Sequence, residues 1–335
     1  MQEAAQHTDE TNLDGPLLFG RILDGEGGAR RIDWDEAKNW TPGAPGEVMW
    51  LHLCRTVEGL QQWLEDMGIP EPTAEFLIGN DKRPRAFHEG NALVANLRGI
   101  NFNPGALPED MIAFQVWSDG PRVFTLRRRR LQSPRDVLAL LDAGKGPKDS
   151  GQVITQLIEA VSIRMSSSIV DMNDAIDAME DEDNPEDTER VLERIATIRR
   201  NCLSLQRHMA PQHEALEAIV RDAPAWFEED DRREIAESID RLRRYLEDIN
   251  ISKESALVLQ DDIRVRALAR SERTNYLLTI VAAIFLPLGF LTGLLGINVG
   301  GMPGVDDSHA FWFVVALCGI ILAMQVALFW RWKWL

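Results

Sequence analysis

The residues best suited to metal-ion chemistry lie between two apolar segments near the end of the chain. Gly296, Ile297 and Asn298 directly follow the first segment. Asp306 and Asp307 are the only charged residues before the second segment begins. An amide oxygen can contact an ion that keeps its water shell, and adjacent carboxylates raise the local cation concentration. We therefore expect this short loop to attract cations.

A second acidic group lies at the end of a long predicted helix. Asp171, Asp174, Asp177 and Asp181 recur at spacings of three or four residues and therefore share one helix face. Carboxylate oxygens are the ligands that hard divalent cations prefer, so the face is a candidate regulatory metal site. Like charges this close repel, and a hydrated helix tip is the favoured alternative.

Two uncharged apolar segments, residues 276–295 and 310–330, predict membrane-spanning helices. Each has about the 20 residues that a helix needs to cross a hydrocarbon core. Their basic flanking residues are Arg264, Arg266, Arg270, Arg273, Arg331 and Lys333. The loop between the segments contains no Lys or Arg. Because basic residues favour the cytoplasmic side, we expect both termini in the cytoplasm and the loop outside.

One face of the first segment is narrow and mostly small. The candidate pore-lining residues on or beside this stripe are Asn275, Leu278, Thr279, Ala282, Leu286, Gly289 and Gly293. Gly289 and Gly293 also form a GxxxG pattern, so a helix-packing face is the alternative. No Asp, Glu, His or Cys lies in the segment. A pore here would therefore pass a hydrated ion. Since two spans cannot enclose a pore, transport requires a symmetric oligomer.

Composition excludes several other functions. The 335 residues include 36 Lys and Arg against 53 Asp and Glu, a net charge of −17. The excess lies before residue 276, and such an acidic region argues against nucleic acid as a partner. The sequence contains no phosphate-binding loop, nucleophile elbow or HExxH motif, so we expect no enzyme and no cofactor. The acidic, polar beginning predicts no signal peptide.

The element pattern predicts an α+β membrane protein. The predicted divisions are a disordered tail (1–15), a cytoplasmic α/β domain (16–150), a cytoplasmic stalk of long helices (151–275), a first transmembrane helix (276–295), an external loop (296–309), a second transmembrane helix (310–330) and a basic-aromatic tail (331–335). The predicted strands are Leu17–Leu23, Val48–Leu53, Ala92–Phe102, Met111–Trp117 and Arg122–Leu126. A turn at residues 118–121 predicts a hairpin between the last two strands. One helix is predicted to run from Glu229 to Leu295.

The tripeptide and its setting resemble the CorA family of metal-ion transporters. The family has Gly-Met-Asn after the first of two C-terminal spans, and here Ile297 replaces the Met. The Gly-Ile-Asn form and the glycine-rich residues 299–304 look most like the ZntB-like zinc transporter branch. This resemblance implies a funnel-shaped homopentamer in a bacterial inner membrane, with the first span lining the pore. It places Asn298 at the outer mouth, where Gly296 permits a tight turn.

The resemblance favours Zn²⁺ as the transported ion, with Mg²⁺, Co²⁺ and Ni²⁺ as further candidates. A magnesium and cobalt channel of CorA type is the first alternative. A membrane-anchored scaffold or sensor that conducts nothing is an alternative from another class. Zn²⁺ usually prefers nitrogen and sulfur ligands, and the predicted pore offers neither, so the zinc assignment depends on the resemblance alone. The expected partners are further copies of the chain, membrane lipid and divalent cations.

Overall fold

The computed structural model describes residues 15–44, 46–81, 83–107, 110–180, 188–296 and 309–332. The chain forms two compact units, Met1–Gln260 and Asp261–Leu335, which are called here the N-terminal and the C-terminal unit. The described strands are β1 (Leu17–Leu23), β2 (Ala29–Ile32), β3 (Val48–Cys54), β4 (Arg85–Glu89), β5 (Ala92–Gly99), β6 (Ile112–Ser118) and β7 (Arg122–Arg127). The described helices are α1 (Trp34–Lys38), α2 (Leu60–Asp66), α3 (Glu71–Ile78), α4 (Ser133–Asp142), α5 (Ser150–Glu180), α6 (Thr188–Arg221), α7 (Glu229–Leu295) and α8 (Ala310–Arg331).

The strands form one sheet in the order β2-β1-β3-β7-β6-β5-β4. Among the described strand pairs, only β3 and β7 run parallel. This central pair joins residues far apart in sequence, because His52 lies opposite Thr125 in the register. The predicted hairpin between β6 and β7 is confirmed, since the two strands are antiparallel neighbours.

Strand β3 is buried on both sides, which explains its nearly continuous apolar sequence. Alternate residues face two hydrophobic clusters on opposite faces of the sheet. Met49 and Leu51 pack with helices α2 and α3, whereas Val48 and Trp50 pack with α4 and α5. Helix α6 lies across β4 and β5. The sheet therefore has helices on both faces, as a strand apolar on both sides requires.

The five predicted strands are all present, with ends that differ by up to three residues. Strand β5 ends at Gly99 rather than at Phe102, where the prediction extended it. Strands β2 and β4 and helix α1 were not predicted. The two strands have charged, partly exposed sequences at the sheet edges, where no apolar alternation is needed. The continuous helix predicted from Glu229 to Leu295 is confirmed as α7.

Candidate functional site

Three described helices, α5, α7 and α8, contain windows long and apolar enough to cross a membrane. In α5, 56% of the apolar window is buried within the protein. The corresponding fractions are 6% for α7 and 0% for α8. Helix α5 therefore has its apolar face covered by its own chain. The apolar surfaces of α7 and α8 require lipid or further copies of the chain to cover them.

Within the C-terminal unit, α7 and α8 each have one less exposed face. On α7 this face contains Ile280, Ala283, Ile284, Leu288 and Leu291. On α8 it contains Ala310, Val314, Leu317, Cys318, Ile321, Gln325 and Phe329. The three- and four-residue spacings are those of two helices packed along a seam. The side chain amide of Gln325 joins the two helices through a hydrogen bond to α7.

This hydrogen bond lies at the proline in α7. Pro287 has no N–H, so the carbonyl oxygen of Ala283 loses its donor within the helix. Gln325 Nε2 donates to that oxygen over 3.2 Å. The second helix therefore replaces the hydrogen bond that the proline removes. Sequence analysis could have identified Gln325, because it is the only residue with an amide side chain between residues 310 and 330.

The predicted pore-lining stripe lies on the opposite side of α7 from this packed face. All seven predicted residues, Asn275, Leu278, Thr279, Ala282, Leu286, Gly289 and Gly293, are exposed in the protomer. A methyl group built on Gly289 or Gly293 would meet no atom within 4 Å. The GxxxG pair therefore makes no close helix contact within the described part of the protomer. Another copy of the chain, lipid or a water-filled pore can cover this face.

The polar groups of the stripe are held by the helix itself. Thr279 Oγ1 donates to the carbonyl oxygen of Asn275 at 2.8 Å. Oγ1 of the neighbouring Thr292 donates to the carbonyl oxygen of Leu288 at 3.0 Å. Each hydroxyl oxygen keeps acceptor capacity that water around a hydrated ion can use. No charged residue lies between Tyr276 and Leu295. The stripe can therefore contact a hydrated ion but supplies no anionic ligand to remove its water.

The signature tripeptide is described only at its first residue. Gly296 forms a turn after α7, and its N–H donates to the carbonyl oxygen of Thr292 at 2.9 Å. A methyl group at Gly296 would lie 3.0 Å from that oxygen, which favours glycine here. Ile297, Asn298, Asp306 and Asp307 lie outside the described residues. Their roles at the pore mouth stay predictions.

The candidate regulatory site remains a prediction. Asp171, Asp174 and Asp177 are exposed on the last turns of α5, and Asp181 lies outside the described residues. Within the part of the chain that is described, no three His, Cys, Asp or Glu side chains are placed to hold one metal ion. Nearby, Asn173 Oδ1 accepts a hydrogen bond from Ser252 Oγ of α7, which ties the two helices together beside the acidic face.

An α/β sheet domain, long helices and a terminal pair of apolar helices define a known architecture of membrane transport proteins. Residues 45–331 match the family described as CorA-like Mg²⁺ transporter protein, and the chain belongs to this family. The resemblance inferred from the tripeptide is therefore confirmed.

Relatives match over nearly the whole chain. The divalent cation transporter CmaX of Pseudomonas aeruginosa is 38% identical over 329 residues, which cover 97% of this chain and 99% of the relative. The zinc transport protein ZntB of Pectobacterium atrosepticum is 34% identical over 316 residues, covering 93% and 94%. These two relatives are named as transporters, not as enzymes.

Solved structures share the fold. The full-length CmaX structure has a TM-score of 0.83 at 37% identity and covers 97% of this chain and 100% of its own. The CorA magnesium transporter from Methanocaldococcus jannaschii has a TM-score of 0.77, covering 94% of this chain and 98% of its own. Its 15% identity makes it evidence for the fold alone.

Proposed function

We propose that this chain is a subunit of a homo-oligomeric transporter that carries divalent cations across a membrane, with Zn²⁺ as the favoured ion. The observation that carries the proposal is the exposure of the stripe from Asn275 to Gly293, on the side of α7 away from α8. A face that is small, uncharged and uncovered in the protomer is what a ring of subunits needs along a hydrated pore. Membership of the CorA-like family supports the same function.

The assembly that fits this proposal is a homopentamer in a bacterial inner membrane with both termini in the cytoplasm. The basic residues that flank the two apolar segments, Arg264 to Arg273 on one side and Arg331 and Lys333 on the other, support this orientation. In this arrangement the loop after Gly296 faces the outside. Asn298 of each subunit would contribute an amide to a ring at the outer mouth, and Asp306 and Asp307 would concentrate cations there. Lipid would cover the outward faces of the helices.

The choice of Zn²⁺ is supported by the relative named as a zinc transport protein. The relative named as a divalent cation transporter and the family description, which names Mg²⁺, support a broader range. A stripe without anionic, nitrogen or sulfur ligands discriminates weakly among hydrated divalent ions. We therefore expect Zn²⁺, Co²⁺ and Ni²⁺ to pass, and a magnesium channel is the alternative.

Metal uptake into proteoliposomes tests the proposal. Purified protein is reconstituted, and uptake of Zn²⁺, Co²⁺, Ni²⁺ and Mg²⁺ is measured with and without an imposed pH gradient. We expect Zn²⁺ uptake above that of protein-free liposomes. In the Asn298→Ala variant, Zn²⁺ uptake should be lower by about tenfold or more. Faster Mg²⁺ than Zn²⁺ uptake would support the magnesium channel. Absence of uptake for all four ions would support the non-conducting scaffold instead.

A further inference from the structure

A cavity of about 870 Å³ in the N-terminal unit is strongly basic. Its described lining contains six arginines and two aspartates. The arginines are Arg55, Arg83, Arg98, Arg128, Arg129 and Arg207. This local excess of positive charge lies in a chain whose net charge is −17. The overall composition of the protein therefore does not explain this arginine cluster.

The parallel pairing of β3 and β7 brings three of these arginines together. The two strands end side by side, because Cys54 lies opposite Arg127 and the Arg55 N–H donates to the Arg127 carbonyl oxygen at 3.0 Å. Arg55 follows β3, and Arg128 and Arg129 follow β7. All three residues therefore lie at the carboxyl ends of this central strand pair. The carboxyl edge of parallel strands is a common position for ligand sites.

The four consecutive arginines at residues 127–130 do not share one environment. Arg127 is buried, and its Nε donates to His52 Nε2 over 3.1 Å. Burial lowers the pKa of His52 well below its usual value, which keeps the imidazole neutral and able to accept this bond. Arg128 and Arg129 are exposed and line the cavity instead.

The deeper arginines are positioned by carbonyl oxygens. Arg98 lies on β5 and is 8% exposed, and its Nη1 donates to the Met111 carbonyl oxygen at 2.9 Å. Arg55 Nη1 donates to the carbonyl oxygen of Gly79. These hydrogen bonds fix the direction of each guanidinium group at the wall of the cavity. Burial, and secondarily the charge of Arg55, lowers the pKa of Arg98, although Asp81 acts in the opposite direction.

Helix α6 completes the cavity from the other side. The side chain Oε1 of Gln212 accepts a hydrogen bond of 2.6 Å from the backbone N–H of Arg98, which fixes the helix against β5. Arg207 and His208, which precede Gln212 by five and four residues, line the cavity from α6. The six arginines thus line a single space from the ends of β3 and β7, from β5, from the loop before β4 and from α6.

We propose that this cavity binds a small anion through a phosphate group, a site separate from the proposed ion pathway. Guanidinium groups bind phosphate oxygens through paired, charge-assisted hydrogen bonds, and this recognition favours arginine over lysine. The volume lies within the roughly 300–1,000 Å³ that is usual for small-molecule sites, so it admits a nucleotide as well as inorganic phosphates. The negative net charge opposes binding of an extended polyanion such as nucleic acid.

Calorimetric titration of the full-length protein in detergent tests this site. The probes are inorganic pyrophosphate and ADP, in buffer freed of divalent ions by a chelating resin, so that bound metal cannot recruit the anion. The variants are Arg128→Gln and Arg207→Gln, which change exposed side chains on two different elements. The matched control is Arg200→Gln, an exposed arginine on the same helix as Arg207 that is not part of the cavity lining.

We expect each cavity variant to weaken binding about tenfold and the control to stay within roughly twofold of the unmodified protein. Equal affinity for pyrophosphate and ADP would assign recognition to the phosphate group alone. Tighter binding of ADP would assign a nucleotide to the same site. The proposal is overturned if neither probe binds the unmodified protein, or if the cavity variants and the control bind equally well. Thermal unfolding midpoints of all variants distinguish loss of the site from loss of the fold.

Discussion

The N-terminal and C-terminal units use apolar residues in opposite ways. In the N-terminal unit, strand β3 and the apolar window of α5 are covered by other parts of the same chain. In the C-terminal unit, α7 and α8 cover only one face of each other and leave most of their apolar surface exposed. Helix α5 shows that hydropathy and length alone do not identify a membrane span. What distinguishes α7 and α8 is the absence of a covering layer within the described protein.

The largest expected effect tests whether the exposed stripe lines a pore. Gly289→Leu adds a bulky side chain where the protomer has open space, so any loss of transport must arise outside the protomer. We expect Zn²⁺ uptake into proteoliposomes to fall at least about tenfold, because side chains from all subunits would narrow the same passage. Gly319→Leu on α8 is the matched control, since Gly319 is also exposed with open space around it. Equal uptake by the two variants would contradict a pore at this stripe.

The second prediction compares a leucine-to-alanine substitution in the N-terminal unit with one in the C-terminal unit. Leu51→Ala removes a fully buried side chain from the core of the sheet, and we expect a cost of about 2–5 kcal/mol in the free energy of unfolding. Leu286→Ala removes a side chain that is 72% exposed on α7. Its cost is expected to stay within about 0.5 kcal/mol in the protomer. Chemical unfolding in detergent, followed by circular dichroism, measures both. A large cost for Leu286→Ala would show that neighbouring subunits pack against the stripe.

A pH effect is expected at the start of α7, in the N-terminal unit. Burial raises the pKa of Asp231 from 3.8 to about 6, although its carboxylate accepts a hydrogen bond from the Glu228 N–H. The folded state therefore binds more protons than the unfolded state between about pH 4 and 6. The protonated carboxyl of Asp231 therefore stabilises the folded state fully below the pKa that it has in the unfolded chain. This stabilisation is lost as the pH rises through about 6.

Asp231→Asn removes this titration. As the pH rises from 4 to 7, the free energy of unfolding of this variant should increase by about 2–3 kcal/mol relative to that of the unmodified protein. A pKa shift of roughly two units implies this difference. The control is Asp230→Asn, which changes the exposed neighbouring residue. Unfolding curves at several pH values decide the outcome, and parallel pH profiles for the two variants would exclude a buried carboxylate at position 231.

The smallest effect concerns the hydrogen bond between the two apolar helices. Gln325→Leu removes the donor to the Ala283 carbonyl oxygen and should cost about 0.6 kcal/mol, the average for such bonds between membrane helices. The cost is small because Gln325 Oε1 is itself buried without a partner among the described residues. Pro287→Ala returns a donor within α7, so the Gln325 change should cost less in that background. A double-mutant cycle measured by thermal unfolding tests this coupling.

The sequence alone predicted the elements whose residues follow a strong pattern. The predicted strand Leu17–Leu23 has the same bounds as β1, and the uncharged segments identified the exposed helices. The parallel pairing of β3 with β7 was not predicted, because the bonded residues His52 and Thr125 are 73 positions apart. No local pattern encodes such a contact. The short edge strands β2 and β4 were missed because partly exposed strands need no apolar alternation.

The candidate sites were predictable to different degrees. Helical periodicity placed the seven stripe residues on one face of the first span, and in the structure the opposite face, with Ile280 and Ile284, packs toward α8. The partner of the Ala283 carbonyl oxygen depends on the alignment of two helices, which their sequences do not specify. The arginines of the cavity come from the ends of two strands, a third strand, a loop and a helix, so they look unrelated in sequence.

The position of the sheet in the chain has a consequence for synthesis on the ribosome. All seven described strands lie between Leu17 and Arg127, so the central β3–β7 pair can close long before the apolar part of α7 is translated. At about 5–20 residues per second, several seconds separate the two events. The nascent chain can therefore present a formed sheet when its most aggregation-prone segments emerge.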